Sequence, residues 1–366
     1  MKPSNNKYLQ YLNPLELLQT KKVLQNNPTV PIVTACKGES VLTLFTYNDT
    51  ACNTKTTIKS NQIGHAFLEK DKKYWLNVDV INKQTVEEIG GAIGLDPLII
   101  EDILNDYQRP KTDEIDDHFT CVLQMLFFNE LSNTIEGEQV SFVLGENYLF
   151  SFQDEATRDL FTPIRERMLH ENTKIRTRKV DYLLYALLDR IVDHYFIVLE
   201  KLSVQIEKLE EEITNNLADD FTMNRINNLR KELIYFKRNT FPVRDLIQSI
   251  IRSENIHFEE STKKYFKDIY DHILQVNDLS ENYRDMITNI RDLYFNKVNV
   301  KLNEIMKFLA IVTTLLSPAT VIGGIFGMNF ERIPYIHNQH GFWLATLAMI
   351  IFPILLLLYF KTKKWF

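Results

Sequence analysis

From Phe308 to Phe330 the chain runs 23 residues without a formal charge, and ten residues later a second uncharged run extends from Gly341 to Phe360. About 20 apolar residues cross a bilayer core as a helix, so the two runs predict a transmembrane hairpin with a short connecting loop. The first run is two-sided. Steps of three and four residues from Asn303 pass through Met306, Ala310, Thr313, Ser317, Thr320, Gly324 and Gly327, which apart from Met306 are small or polar. The other faces carry Phe308, Ile311, Val312, Leu315, Leu316, Val321, Ile322, Ile325 and Phe326. Lipid contact wants bulk hydrocarbon, so the small stripe turns to protein or water. It serves either close helix packing or a pore wall.

Upstream the periodicity changes twice. Val41–Tyr47, Tyr74–Val80, Thr120–Phe128, Gln139–Leu144 and Tyr148–Phe152 are rich in β-branched and aromatic residues and predict strands. Gly145-Glu146-Asn147 predicts the hairpin turn between the last two. Thr85-Val86-Glu87-Glu88 has the form of a capping box opening a helix that Gly94 closes. Past Phe161 the pattern is helical. Leu184, Leu188, Ile191, Tyr195, Val198, Leu202, Ile206, Leu209 and Ile213 recur at three- and four-residue steps, one stripe of a long amphipathic helix. Asn215 to Asp220 breaks it, and a second helix returns from about Phe221 to Ser253, distorted at Pro242. The basic stretch Lys174 to Lys179 reads as a solvated linker, and residues 1–30 as a polar, Asn-rich arm. From Glu259 to Met328 there is no proline before Pro318 and no glycine before Gly323, so one helix of roughly 70 residues, about 105 Å long, runs into the membrane as a stalk.

The expected organisation is an α+β membrane protein. Residues 1–165 form an N-terminal α/β cytoplasmic domain, 166–258 a cytoplasmic helical hairpin and 259–302 the stalk. Residues 303–330 form the first, pore-lining transmembrane helix, 331–341 an external loop, 342–361 the second transmembrane helix and 362–366 a basic tail. Lys297, Lys301 and Lys307 precede the first span and Lys361, Lys363 and Lys364 follow the second, whereas the loop holds only Arg332 as a fixed positive charge. The positive-inside rule puts both termini in the cytoplasm, multi-pass in an inner or plasma membrane.

Composition narrows the chemistry. A net charge of −6 with 25% charged residues argues against nucleic acid, which wants a basic stripe. The three cysteines, Cys36, Cys52 and Cys121, form neither a CxxC pair nor an even framework, which fits a reducing compartment and excludes a cysteine zinc site. The N-terminus lacks an apolar signal-peptide core. There is no GxxxxGK phosphate loop and no GxSxG elbow, and Gly90-Gly91-x-x-Gly94 is too sparse for a nucleotide fingerprint. No enzyme is expected.

Phe326-Gly327-Met328-Asn329 at the outer end of the first of two C-terminal spans resembles the CorA-type magnesium transporter family. The resemblance extends through Asn303-Glu304-x-Met306-Lys307, Pro318-x-Thr320 and the terminal Lys361-x-Lys363-Lys364-Trp365-Phe366. Upstream it takes in Glu101-Asp102-Ile103-Leu104, Gln108-Arg109-Pro110-Lys111 and Tyr265-Phe266-x-Asp268-x-Tyr270-Asp271-His272. It implies a homo-oligomeric funnel of five copies in a lipid bilayer, with Gly327, Met328 and Asn329 as selectivity filter. It also implies that Asp102 and Asp268 of neighbouring subunits share a regulatory Mg²⁺, with Glu101, Asp271 and His272 as auxiliary ligands. One hairpin cannot enclose water, so a pore requires several copies of the stripe, lined by Asn303, Met306, Leu309, Thr313, Ser317 and Thr320. No carboxylate appears there, which suits Mg²⁺, an ion that keeps several of its waters. Met306 and Leu309 are candidates for a dewetting gate; plain core packing is the alternative for both, as capping of the helix C-terminus is for Asn329. Glu331 matches the family's acidic outer loop, whereas Tyr335 stands where a second acid is common. Lys361, Lys363 and Lys364 form either a basic collar or ordinary stop-transfer charges.

The expected function is a channel for divalent cations, mediating Mg²⁺ uptake down its electrochemical gradient and closed by cytoplasmic Mg²⁺. The alternatives are the same architecture carrying Zn²⁺, Co²⁺ or Ni²⁺ and a non-conducting membrane-tethered scaffold; His337-x-x-His340 either holds a softer metal such as Zn²⁺ or Co²⁺ or, as loop histidines more often do, faces solvent.

Overall fold

The computed structural model describes residues 39–56, 58, 60, 63, 71–105, 108–154, 158–215, 221–329 and 339–363. The predicted arm at 1–30, Cys36, Glu331, Tyr335, His337 and Lys364 lie outside the described residues.

Seven strands form one sheet: β1 (Val41–Tyr47), β2 (Cys52–Thr56), β3 (Lys73–Asp79), β4 (Lys111–Ile115), β5 (His118–Asn129), β6 (Thr134–Leu144) and β7 (Tyr148–Gln153). Their order is β2-β1-β3-β7-β6-β5-β4. β3 and β7 pair in parallel, and the other ladders are antiparallel. All five expected strands are present, β6 beginning at Thr134 and not at Gln139. β2 and β4 were invisible to apolar alternation. Both are polar edge strands, CNTKT and KTDEI, held by ladder hydrogen bonds, and their charges keep the sheet edges from pairing further. The expected turn closes β6 onto β7, with Gly145 N–H donating to Tyr148 O at 3.0 Å.

Helices α1 (Lys83–Ile93) and α2 (Pro97–Leu104) cover one face of the sheet. Val86, Ile89, Ile93, Ile99 and Ile103 pack there with Leu42, Leu44, Leu76, Val78, Phe150 and Phe152. Each such side chain, fully buried, contributes about 1.5–3 kcal/mol. The predicted capping box does not open α1. Asn82 does, its side chain accepting from Gln84 N at 3.0 Å, while Glu88 bonds Ser60 and Gln84. Asn is at least as good an N-cap as Thr, and it comes first in the chain. Gly94 ends α1 as expected, at φ 73°, a left-handed conformation that glycine adopts without strain. On the other face Phe45 stacks on Trp75, centroids 4.9 Å apart, and Trp75 meets Phe161 edge-on.

The remaining elements are helical: α3 (Thr162–Leu169), α4 (Lys174–Thr177), α5 (Val180–Thr214), α6 (Thr222–Arg252), α7 (Glu260–Phe326) and α8 (Gly341–Thr362). Lys174 to Lys179 is not a solvated linker. Its first four residues are α4, and Arg176 is 1% exposed, its Nε donating to Asn48 O at 3.0 Å. The guanidinium finds a carbonyl in the β1–β2 turn, a partner that charge counting along the chain cannot foresee. Along α5 all nine predicted stripe residues are at most 1% exposed. α7 is unbroken over 67 residues, with Pro318 inside it.

By packing, the chain forms two compact units, Met1–Val198 with Phe236–Asn277, and Leu199–Tyr235 with Asp278–Phe366. The first holds the sheet. The second holds the α5–α6 connection, where Arg225 forks onto Glu212, and both apolar runs.

Candidate functional site

The C-terminal part of α7 and the whole of α8 are long and apolar enough to cross a membrane, and their most apolar windows are 6% and 0% buried. Within the single chain α7 has two unequal sides. Ile311 is buried, Val312, Leu315, Pro318 and Ile322 are half-buried, and Gly323 faces Met349 of α8, where a Cβ would stand 3.6 Å from Cε. Asn303, Met306, Leu309, Ala310, Thr313, Ser317, Thr320, Gly324 and Gly327 are all exposed. The small stripe is therefore not the face on which α8 packs. Ile311, Val312, Leu315 and Ile322, read from sequence as lipid-facing, are buried or half-buried within the chain instead. Thr313 and Thr320 donate back to Leu309 O and Leu316 O at 2.7 and 3.1 Å. Bonded so, a hydroxyl leaves its oxygen lone pairs turned outward, able to accept from water.

The helix stops at Phe326. Gly327 N–H still bonds Gly323 O at 2.9 Å, and a Cβ on Gly327 would stand 2.9 Å from that same carbonyl. Glycine is needed there by close approach of backbone, with no left-handed turn involved. Asn329 follows, exposed, with no side-chain hydrogen bond to a described residue. Lys361 lies in the last turn of α8 and Lys363 just beyond, both exposed.

In the sheet-bearing unit, Asp96 accepts from Leu98 N at 2.8 Å and starts α2, which carries Glu101 and Asp102 in its second half. Glu101 is exposed. Asp102 is half-buried, its Oδ2 2.6 Å from Lys111 Nζ and its Oδ1 accepting from Gln108 Nε2 at 2.5 Å. Asp268, exposed on α7, belongs to a different group within the chain. Its charge acts on Asp189 and Tyr185 of α5.

That group contains the one constellation among the described residues with metal-ligand geometry: Asp189, Asp193 and His272, whose ligand atoms lie within 4.8 Å of one another. Burial, then repulsion from Asp193, pushes the Asp189 carboxyl up to about 6, with Asp268 adding to the rise and His272 opposing it. The His272 Nδ1 is buried with no hydrogen-bond partner. Two repelling carboxylates and a spare imidazole nitrogen fit a divalent cation: the oxygens suit Mg²⁺, and the nitrogen also suits Co²⁺, Ni²⁺ or Zn²⁺. Sequence reading named Asp268 and His272 but missed Asp189 and Asp193. The available signal was the shared four-residue spacing, Asp189 to Asp193 and Asp268 to His272, which puts each pair on one helix face.

Residues 70–363 match the family described as CorA-like Mg2+ transporter protein. The chain belongs to this family. CorA-like proteins are ion transporters, so no enzyme activity is in play. The chain is 36% identical over 300 residues to the cobalt/magnesium transport protein CorA of Thermotoga maritima, covering 82% of this chain and 85% of that one. The cobalt/magnesium transport protein CorA of Methanocaldococcus jannaschii is 26% identical, over 81% of this chain and 93% of that one. The complete CorA structure from M. jannaschii superposes with a TM-score of 0.74 at 24% identity, covering 89% of this chain and 98% of that one. The full-length CmaX protein gives 0.69 at 18% identity, over 90% of this chain and 100% of that one. Both structures share the fold: an N-terminal α/β unit, a long helix and two C-terminal apolar helices.

Proposed function

We propose that this CorA-like chain assembles into a homo-oligomer, five copies by family resemblance, and conducts Mg²⁺ into the cell through a pore walled by α7. The observation that carries this reading is the small, oxygen-bearing stripe that α8 leaves uncovered. A bilayer gives hydroxyls and exposed glycines nothing, so symmetry-related copies of the same stripe around water are its natural environment. Asn303, Thr313, Ser317 and Thr320 then hold the waters of a hydrated ion, Met306 and Leu309 narrow the path, and Gly327-Met328-Asn329 forms the filter, with Glu331 beyond it. Both termini are cytoplasmic, and Lys361, Lys363 and Lys364 stand at the inner leaflet of a plasma membrane. The inside-negative potential drives entry.

Closure is by cytoplasmic Mg²⁺. Asp102 and Asp268 of adjacent subunits share one ion, and Asp189, Asp193 and His272 hold another beside it. Carboxylates so gathered repel without a cation, and α7 connects them covalently to the pore wall. Cobalt is the second cargo, supported by the imidazole in the cluster and by the activity in the two relatives' names; Ni²⁺ and Zn²⁺ are weaker candidates.

The test is Mg²⁺ flux into proteoliposomes at low internal Mg²⁺. Wild type conducts, and Asn329→Ala, assembled normally, conducts little. A wild type impermeable to every divalent ion would leave the scaffold reading standing.

A further inference from the structure

Three cations crowd one aromatic ring at the start of α7. Lys174 Nζ, Arg178 Cζ and Lys264 Nζ lie 5.4, 5.3 and 5.1 Å from the Tyr265 ring centroid, and Arg178 also lies 5.5 Å from that of Tyr182. Their hydrogen bonds go to neutral groups: Lys174 to Tyr265 Oη at 3.4 Å and Arg178 to Ser261 Oγ at 2.8 Å. None of the three is paired with a carboxylate among the described residues, although Lys179 and Lys263 beside them are, with Glu259 and Glu260. The positive patch adjoins the acidic cluster. Tyr185 touches Tyr182 and Tyr265, centroids 5.1 and 5.2 Å away, and its phenol lies in the field of Asp189 and Asp268. Along α7, Tyr265, Asp268 and His272 share a face, the first and last about 10 Å apart along the axis.

Unpaired cations next to ligand-ready carboxylates match a ligand that itself carries both signs. We propose that this surface binds a magnesium-chelated polyphosphate chain, with phosphate oxygens on Lys174, Arg178 and Lys264 and the metal on Asp189, Asp193 and His272. Phosphates take charge-assisted bonds from Lys and Arg. Mg²⁺ is commonly held by one or two carboxylates together with substrate phosphates. The proposal rests on the reading of the acidic cluster as a metal site, and it makes that site responsive to nucleoside triphosphate as well as to the free ion.

The test is calorimetry on the full-length protein in detergent, titrated with MgATP and with magnesium tripolyphosphate, each repeated in EDTA. Both complexes bind, and EDTA weakens binding about tenfold. Lys174→Gln combined with Lys264→Gln loses about tenfold in affinity for both, two partly screened charge-assisted contacts. The same variant keeps the wild-type thermal shift with MgCl₂ alone, which also establishes that it is folded. Undiminished binding by the variant, equal binding in EDTA, or dissociation of the variant's oligomer (the patch then joining copies of the chain) overturns the polyphosphate site. A wild-type MgCl₂ shift that Asp189→Asn leaves intact overturns the metal reading itself.

Discussion

Replacing Asp268 by lysine tests closure by cytoplasmic Mg²⁺. Asp268 is exposed on α7, and its charge reaches Asp189, whose carboxyl already stands near 6. At ~5 Å in bulk-water dielectric, one pair of unit charges is worth about 0.8 kcal/mol. The substitution changes the local charge by two units and the ion carries two, so Mg²⁺ binding weakens by about 3 kcal/mol. That corresponds to roughly two orders of magnitude in affinity. The water dielectric suits an exposed side chain and makes this a lower bound for a site enclosed between subunits. Proteoliposomes loaded with graded internal Mg²⁺ and assayed for Mg²⁺ entry give the inhibition curve directly. Asp268→Lys moves that curve about a hundredfold to higher Mg²⁺ and leaves entry at low internal Mg²⁺ at the wild-type rate. An unmoved curve refutes the assignment of Asp268; a variant equally dead at all concentrations refutes the separation of gate and pore.

Three further outcomes are expected. Gly327→Ala forces a Cβ to within 2.9 Å of the Gly323 carbonyl, so the backbone of the proposed filter shifts and Mg²⁺ flux falls by about tenfold while oligomer size on gel filtration is unchanged. Tyr195→Phe removes a buried hydroxyl that donates to Gln124 O at 2.6 Å and lowers stability by about 1–2 kcal/mol, read as a lower Tm by circular dichroism. Burial raises the Asp181 carboxyl above its ordinary value. The folded state therefore binds the proton more tightly than the unfolded chain, and stability falls as pH rises from about 4 through the raised folded pKa. Asp181→Asn keeps an acceptor for Glu259 N–H, so it is more stable than wild type at neutral pH, with the gap closing in acid; a pH series of Tm values checks it.

Runs of one periodicity were legible because each reports its own environment. The nine α5 stripe residues announce a buried face, and the uncharged windows of α7 and α8 announce a bilayer. The edge strands β2 and β4 were not, because hydrogen-bonded edges need no apolar pattern. The start of α1 was misread because two adjacent capping signals compete, and Asn82 wins by coming first in the chain.

The sequence by itself determined the membrane spans, the long unbroken helix, the small stripe along it and the motif that ends it, since all depend on residues close in the chain. Tertiary structure decided what those residues meet. It set Met349 of α8 beside Gly323 and left the stripe exposed. It drew Asp189 and Asp193 to His272 and kept Asp102 with Lys111. It also buried Arg176 against Asn48. Those pairings join residues separated by up to 128 positions, and no periodicity along one segment encodes a partner on another.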